Sequence, residues 1–367
     1  MKQIIDARGK LISAKRACAV MAVCAMAATA VPAQPTFTKF EAPGAGTAAG
    51  EGTYPSCIDA GGTIAGNDVD ASGVYHGFVR AASGTITTFD APGAGTAQYQ
   101  GTVAASINTM GTIAGYYIDA GNVYHGFVRT ASGTVTTFEV PGAGTAGYQG
   151  TVAASINRAG TIAGFYHDAS DVQHGFVRAA GGTITTFDAP GTGTGSGAGT
   201  LAFSINTAGT IAGYYADASN VYHGFVRAAS GTITAFDAPV AGTAQQQGTV
   251  AVSLNAAGAI AGYYLDASYV YHGFVRAASG TITTFDAPGA GTAEYLGTFV
   301  SSINGDGAIA GYYIDASHVS HSFVRAASGT ITGFASNSYA SSINGKGDVT
   351  GYISGPHDVY HGFLLTR

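Results

Sequence analysis

The feature that most constrains this chain is a self-similar unit with a 49-residue period. The Phe of Thr-Thr-Phe-Asp-Ala-Pro and its variants recurs at Phe40, Phe89, Phe138, Phe187, Phe236, Phe285 and Phe334, always 49 residues apart. The His of His-Gly-Phe-Val-Arg recurs at His76, His125, His174, His223, His272, His321 and His361, and only the last interval shortens, to 40. The nine missing residues lie between Phe334 and Ile343. A period of this length means one supersecondary unit stacked repeatedly, which has to be read before any motif inside it.

Each unit divides into four candidate strands. In the second copy these are Thr102 to Asn108, Gly111 to Asp119, Val123 to Arg129 and Thr134 to Pro141, joined by Asn-x-x-Gly, Asp-Ala-Gly and Ala-Ser-Gly turns. Composition agrees, since 56 Gly accompany many Thr, Ile, Val, Tyr and Phe, the mixture of short strands and tight turns. With 46% hydrophobic residues the chain has ample material for a core. Pro at the end of the fourth strand suits a sheet edge that lacks one ladder donor. Four short antiparallel strands in a 40–50-residue period describe a propeller blade. Residues 37–43 are a fourth strand without its fellows, and residues 359–367 a third strand without its fourth. Pairing them completes a seventh blade and removes the open sheet edges. The expectation is an all-β, seven-bladed β-propeller over residues 34–367, with the N-terminal strand closing the last blade.

Residues 1–33 have a different character. Lys2, Arg8, Lys10, Lys15 and Arg16 precede a 15-residue apolar run at 17–31, short of the ~20 residues of a membrane span. This pattern predicts a signal peptide at 1–33 and a secreted or periplasmic mature chain without a membrane span. Setting those five bases and Asp6 aside leaves 10 basic against 20 acidic residues, a formal charge of −10. With only Lys39 and Lys346 as lysines and no basic stripe, nucleic acid is not an expected partner. Cys57 alone remains in that region, so no internal disulfide is expected; it aligns with Ser106 and is expected as a small buried residue.

At Ile-Asn-x-x-Gly-x-Ile-Ala-Gly-Tyr-Tyr followed by His-Gly-Phe-Val-Arg, the chain resembles the HAF-repeat proteins. The resemblance covers residues 36–367 and recurs seven times. Gly stands here for the family's central Ala. Arg80, Arg129, Arg178, Arg227, Arg276 and Arg325 stand where the family has Trp. The resemblance implies a repeat architecture and an extracellular location, and it implies no activity, cofactor or catalytic residue.

Repeated polar residues have structural readings first. The seven third-strand His are expected as structural residues hydrogen-bonded to backbone or a neighbouring strand. In a propeller they form a ring too wide for one metal, whose ligands must each approach to ~2.1 Å. Arg80, Arg129, Arg178, Arg227 and Arg276 share units with Asp90, Glu139, Asp188, Asp237 and Asp286. A two-residue Ser-Gly hairpin would set Phe78 opposite Phe89 with Arg and acid on opposite faces, so Arg–acid pairing is expected between neighbouring blades. The turn residues Asp70, Asp119, Asp168, Asp217, Asp266 and Asp315 offer one carboxylate each, whereas Ca²⁺ takes 6–8 oxygens; they are expected to bond their own turns. Asn108, Asn157, Asn206, Asn304 and Asn344 are expected to do the same.

No cofactor or metal is implied. The axial strands carry no acid except Asp59 at the end of the first, and the unrepeated Glu51, Glu294 and Asp306 are scattered, so no pair of catalytic carboxyls is expected. The connections from fourth to first and from second to third strands share the rim where propellers bind ligands. There one position reads Tyr99, Tyr148, Gly197, Gln246 and Tyr295 within a fixed Gly frame. Tyr99, Tyr148, Gln246 and Tyr295 are the candidate ligand-binding residues, suited to stacking on sugar rings or contacting a peptide. The expected function is a non-catalytic binding or scaffold module for glycan or protein ligands, acting as a monomer. A propeller enzyme acting on carbohydrate and a purely structural surface repeat are the alternatives.

Overall fold

The computed structural model describes residues 35–367; the signal peptide expected at 1–33 lies outside the described residues. These residues form 28 β-strands and one short 3₁₀ turn at Pro356–Asp358, the all-β architecture expected. After β1 (Thr36–Phe40), the chain makes a four-stranded antiparallel meander of β2 (Gly52–Ile58), β3 (Ile64–Val69), β4 (Tyr75–Arg80) and β5 (Ile86–Phe89). A second meander follows as β6 (Gly101–Ile107), β7 (Ile113–Ile118), β8 (Tyr124–Arg129) and β9 (Val135–Phe138). The pattern then recurs to the C-terminus. In the second meander the first strand keeps its expected length one residue earlier, while the other three are shorter than expected, most of all the fourth, where Pro141 lies beyond the ladder.

The terminal strands pair as expected. β1 runs antiparallel to the last strand, Tyr360–Thr366, with Thr36 opposite Thr366 and Phe40 opposite Gly362. Across each long joint successive meanders share one parallel bridge, such as Tyr75 with Gly101, and Gly52 with Tyr360 carries this link across the two ends of the ring. Where the nine residues are missing, the strand Ile331–Ser336 leads almost directly into Ser338–Ile343. There Ser338 Oγ accepts the Ser322 N–H at 3.2 Å.

The core lies between neighbouring meanders. Phe78, Phe127, Phe176, Phe225, Phe274, Phe323 and Phe363 are fully buried, each contributing roughly 1.5–3 kcal/mol by leaving water. Phe89 of one meander meets Phe127 of the next edge-on, with ring centroids 5.9 Å apart. Each meander therefore buries its apolar face only when its neighbour is present, the energetic basis of a repeat fold.

The hairpin register differs from expectation. Phe89 stands opposite Gly77, and Phe78 opposite Thr88. The turn is not a two-residue Ser-Gly loop. Ala81 N–H reaches Thr85 O at 2.8 Å and Gly84 N–H reaches Ala81 O at 2.8 Å, which leaves three residues in the loop with Gly84 at φ +98°. One added loop residue shifts every opposed pair. It also explains the Gly of His-Gly-Phe, because a Cβ on Gly77 would lie 2.6 Å from the Phe89 ring.

Candidate functional site

The Gly-rich connection at residues 90–101 is a joint clamped at three points. Thr102 Oγ1 accepts the Ala91 N–H at 2.9 Å, and equivalent Thr residues repeat this contact in the long joints. Gly101, at φ +117°, passes so close to Tyr75 that a Cβ would collide with its carbonyl oxygen, so only glycine fits. Tyr99 N–H reaches Gly73 O at 2.8 Å and ties the joint to the preceding β3–β4 turn. The two kinds of loop thus share one rim, as expected.

Tyr99, Tyr148, Gln246 and Tyr295 all occupy the left-handed region, at φ +66°, +67°, +63° and +61°. Gly197 shares it at +77°, so this tip suits glycine and holds larger residues under strain. The three tyrosines are exposed by 64%, 68% and 51%. They are not brought to one place. Tyr295 packs on Tyr269 with centroids 5.7 Å apart, while Tyr99 and Tyr148 line a common cavity of about 640 Å³.

That cavity draws on three successive units. Its aromatic wall is Tyr54, Tyr75, Tyr99, Tyr116, Tyr124 and Tyr148. Tyr116 meets Tyr124 edge-on at 5.7 Å, and burial pushes its phenol up to about 12. Burial also pushes the Tyr54 phenol up, and its hydroxyl donates to Gly50 O at 2.7 Å. These groups are neutral at ordinary pH. Among the lining residues are one amide, Asn67, and no acid, base or histidine. A second cavity of about 440 Å³ draws on the later units, with Phe203, Tyr214, Tyr263, Phe299, Tyr312 and Tyr352 among its walls. None of the loop-tip residues reaches it.

Asn67 and its neighbour Asp68 escaped the reading by motif. Asn67 faces Gly77 in the ladder, a register that holds Tyr116, Phe165, Tyr214, Tyr263, Tyr312 and Tyr352 elsewhere. Asp68, on the other face of β3, is opposed by Thr53 and His76 and is fully buried, with both carboxyl oxygens unpartnered. Desolvation raises its carboxyl to about 7 against the pull of His76. The signal was available, as Gly-Asn-Asp-Val-Asp in the first unit against Gly-Tyr-Tyr-Ile-Asp in the second.

The third-strand His residues bond side chains and not backbone. His76 Nδ1 lies 2.9 Å from Asp90 Oδ1 and its Nε2 3.5 Å from Asp70 Oδ2. His125, His174, His223 and His272 repeat this bridge between two carboxylates. His321 bonds Asp315 and Ser336, and His361 bonds Glu41, the residue after β1, across the ring closure. Among the described residues no group of His, Cys, Asp and Glu is arranged to hold a metal ion.

The expected Arg–acid pairs do not form, because the acids bond His. Each Arg instead lies over the Phe of the preceding unit. Arg80 covers Phe40 at 4.9 Å and Arg129 covers Phe89 at 4.7 Å from the ring centroid, and the contact recurs through Arg325. The contact does cross between units, but its partner is an aromatic face.

The turn residues behave as expected and add one contact. Asp119 Oδ1 accepts the Gly121 and Val123 N–H groups at 2.8 and 2.9 Å. Asn108 Oδ1 serves its own turn likewise, while Nδ2 donates to Asn157 O of the next unit at 3.0 Å. This relay continues through Asn157, Asn206, Asn255 and Asn304, and Asn344 hands it to Asp59 O, stitching the opposite rim. Cys57 is half-buried and unpaired, and burial pushes its thiol up to about 12.

No protein-family model matches the chain, nor does any curated protein sequence. Among solved structures, the BP39L lectin from Burkholderia pseudomallei is similar over 84% of this chain and 95% of its own, at 9% identity and a TM-score of 0.56. A lectin from Aleuria aurantia, solved with alpha-methyl-L-fucoside, matches 77% of this chain and 93% of its own at 15% identity and a TM-score of 0.46. An acylaminoacyl peptidase from Pyrococcus horikoshii matches 85% of this chain and 51% of its own at 9% identity and a TM-score of 0.49. The BP39L likeness, joined to the ring of meanders, makes the fold a β-propeller. No helix among the described residues is long and apolar enough to cross a membrane.

Proposed function

We propose that this chain is a secreted or periplasmic, HAF-type, seven-bladed β-propeller that binds glycans through the rim cavity of its first units. The observation that carries the reading is the cavity itself. Six tyrosines and one amide from three units converge on about 640 Å³, a volume suited to a small ligand. Aromatic faces pack against the apolar C–H faces of sugar rings, and phenol and amide groups meet their hydroxyls. A blade is one four-stranded meander, and the pairing of β1 with Tyr360–Thr366 supports a count of seven. That BP39L is a lectin on the same fold favours sugar over peptide. Binding is favoured over hydrolysis because glycosidic cleavage uses two carboxyl groups about 5–10 Å apart, and the lining residues include none.

A glycan array tests this reading. The protein is expected to bind a discrete set of sugars, and Tyr99→Gly and Tyr148→Gly to lose them. Both substitutions relieve a left-handed backbone and leave the fold intact. Tyr295→Gly, outside the cavity, is expected to keep the wild-type profile. A blank wild-type array would overturn the reading.

A further inference from the structure

Most of the cavity is built from positions that every unit possesses. Tyr54, Tyr75 and Tyr124 are strand residues, and Tyr116 is the ordinary aromatic of its register. What no other unit supplies is Asn67. Its side chain is partly exposed and lines the cavity, and its amide makes no hydrogen bond to the described residues. An amide offers two donors and an acceptor at once, the complement of adjacent hydroxyls on a pyranose. In the six other units Tyr or Phe occupies this register, so the amide, with its paired donors and acceptor, is missing there.

The lining also sets the charge of the ligand. No Lys, Arg or His stands among the lining residues to meet a carboxylate or sulfate, and residues 34–367 carry a formal charge of −10. An acidic sugar would meet an uncharged aromatic lining without a counter-ion, and its partial desolvation would go uncompensated.

We infer that, despite seven similar units, the protein has one sugar site, which selects a neutral hexose or deoxyhexose through adjacent hydroxyls held by Asn67. This rests on the glycan reading of the cavity. It narrows that reading to a stoichiometry, a ligand class and a selecting residue.

Calorimetric titration with the methyl glycosides of glucose, galactose, mannose and fucose, and with glucuronate, tests it. One or more neutral glycosides are expected to bind with a stoichiometry near one and glucuronate at least tenfold more weakly. Asn67→Asp, which keeps size but removes both donors, is expected to weaken binding at least tenfold. Asn67→Tyr, which installs the residue of the other units, is expected to abolish it with no loss in Tm. A stoichiometry of two or more, or unchanged affinity in Asn67→Tyr, would overturn the single-site inference while glycan binding stands. Glucuronate bound as tightly as the neutral sugars would overturn the ligand class. Absence of binding by every glycoside, with a blank array, would remove the glycan reading itself.

Discussion

The first and second meanders have the same strands, and among their sequence differences two adjacent residues matter most here, Asn67-Asp68 in the first against Tyr116-Tyr117 in the second. In the second, Tyr117 stacks on His125 with centroids 4.7 Å apart, and its hydroxyl fills the space by Gly93, where a Cβ would lie 3.2 Å from it. In the first, Asp68 holds that register, and a Cβ on the equivalent Gly44 would meet nothing within 4 Å. Tyr116 and Asn67 hold the same register and line the same cavity, the one with a phenol ring and the other with an amide. The frame that builds the fold survives both changes. The two units therefore separate what the repeat needs from what a binding site needs, and a buried unpartnered carboxyl accompanies the second.

The comparison breaks first if the shared frame is not equally important in both units. Phe78→Ala and Phe127→Ala each empty a fully buried site and are expected to cost about 3–5 kcal/mol. Urea denaturation should find the two equal within about 1 kcal/mol; a large inequality would show that the first unit is not held by the common frame.

Asp68→Tyr should move the first unit towards the second. Filling the space and removing an unpartnered carboxyl is expected to raise stability by about 1–3 kcal/mol at pH 8. The pH dependence carries the sharper sign. Asp68 holds its proton up to about 7 in the fold, while an unfolded Asp releases it at about 4. The folded state thus binds more protons across that window, and stability falls as pH rises from about 4 to about 7. Asp68→Asn should flatten this slope in a plot of Tm against pH, and an unchanged slope would contradict the assignment.

Smaller effects are expected where the units agree. Arg129→Leu removes the cation lying over Phe89 and should cost about 0.5–2 kcal/mol by chemical denaturation. His272 has its pKa raised, chiefly by its bond to Asp286 against the opposing effect of burial. Its contribution is full below the unfolded His pKa and is lost as pH rises through the folded one. His272→Gln should remove less than about 1 kcal/mol, visible at pH 5 and absent at pH 9.

The architecture was legible because the repeat states it many times. Complementary terminal segments predicted the pairing of β1 with the last strand, and the fixed Gly of each joint marked where Gly101 crosses Tyr75. The hairpin register was hidden because Ala-Ser-Gly fits a two-residue or a three-residue loop, and only the hydrogen bonds from Ala81 and Gly84 decide. The Arg contacts were misassigned for a related reason. Charge pairs are visible in a sequence, whereas the face of Phe89 offered to Arg129 depends on how two units pack. Of the candidate rim set, Tyr99 and Tyr148 share a cavity that Gln246 and Tyr295 do not join, a grouping set by how neighbouring units pack. Asn67 falls in a strand, where one departure from the aromatic register is masked by the repeat around it, whereas variation in the loops stands out against their fixed Gly frame.

The most direct test of the central claim restores the repeat. The double variant Asn67→Tyr/Asp68→Tyr gives the first unit the Tyr-Tyr pair of the second, and its glycan array is to be compared with that of the wild type. The double variant is expected to fold, to be at least as stable as the wild type by thermal unfolding, and to give no array signal. A double variant that folds and keeps the wild-type profile would contradict the claim.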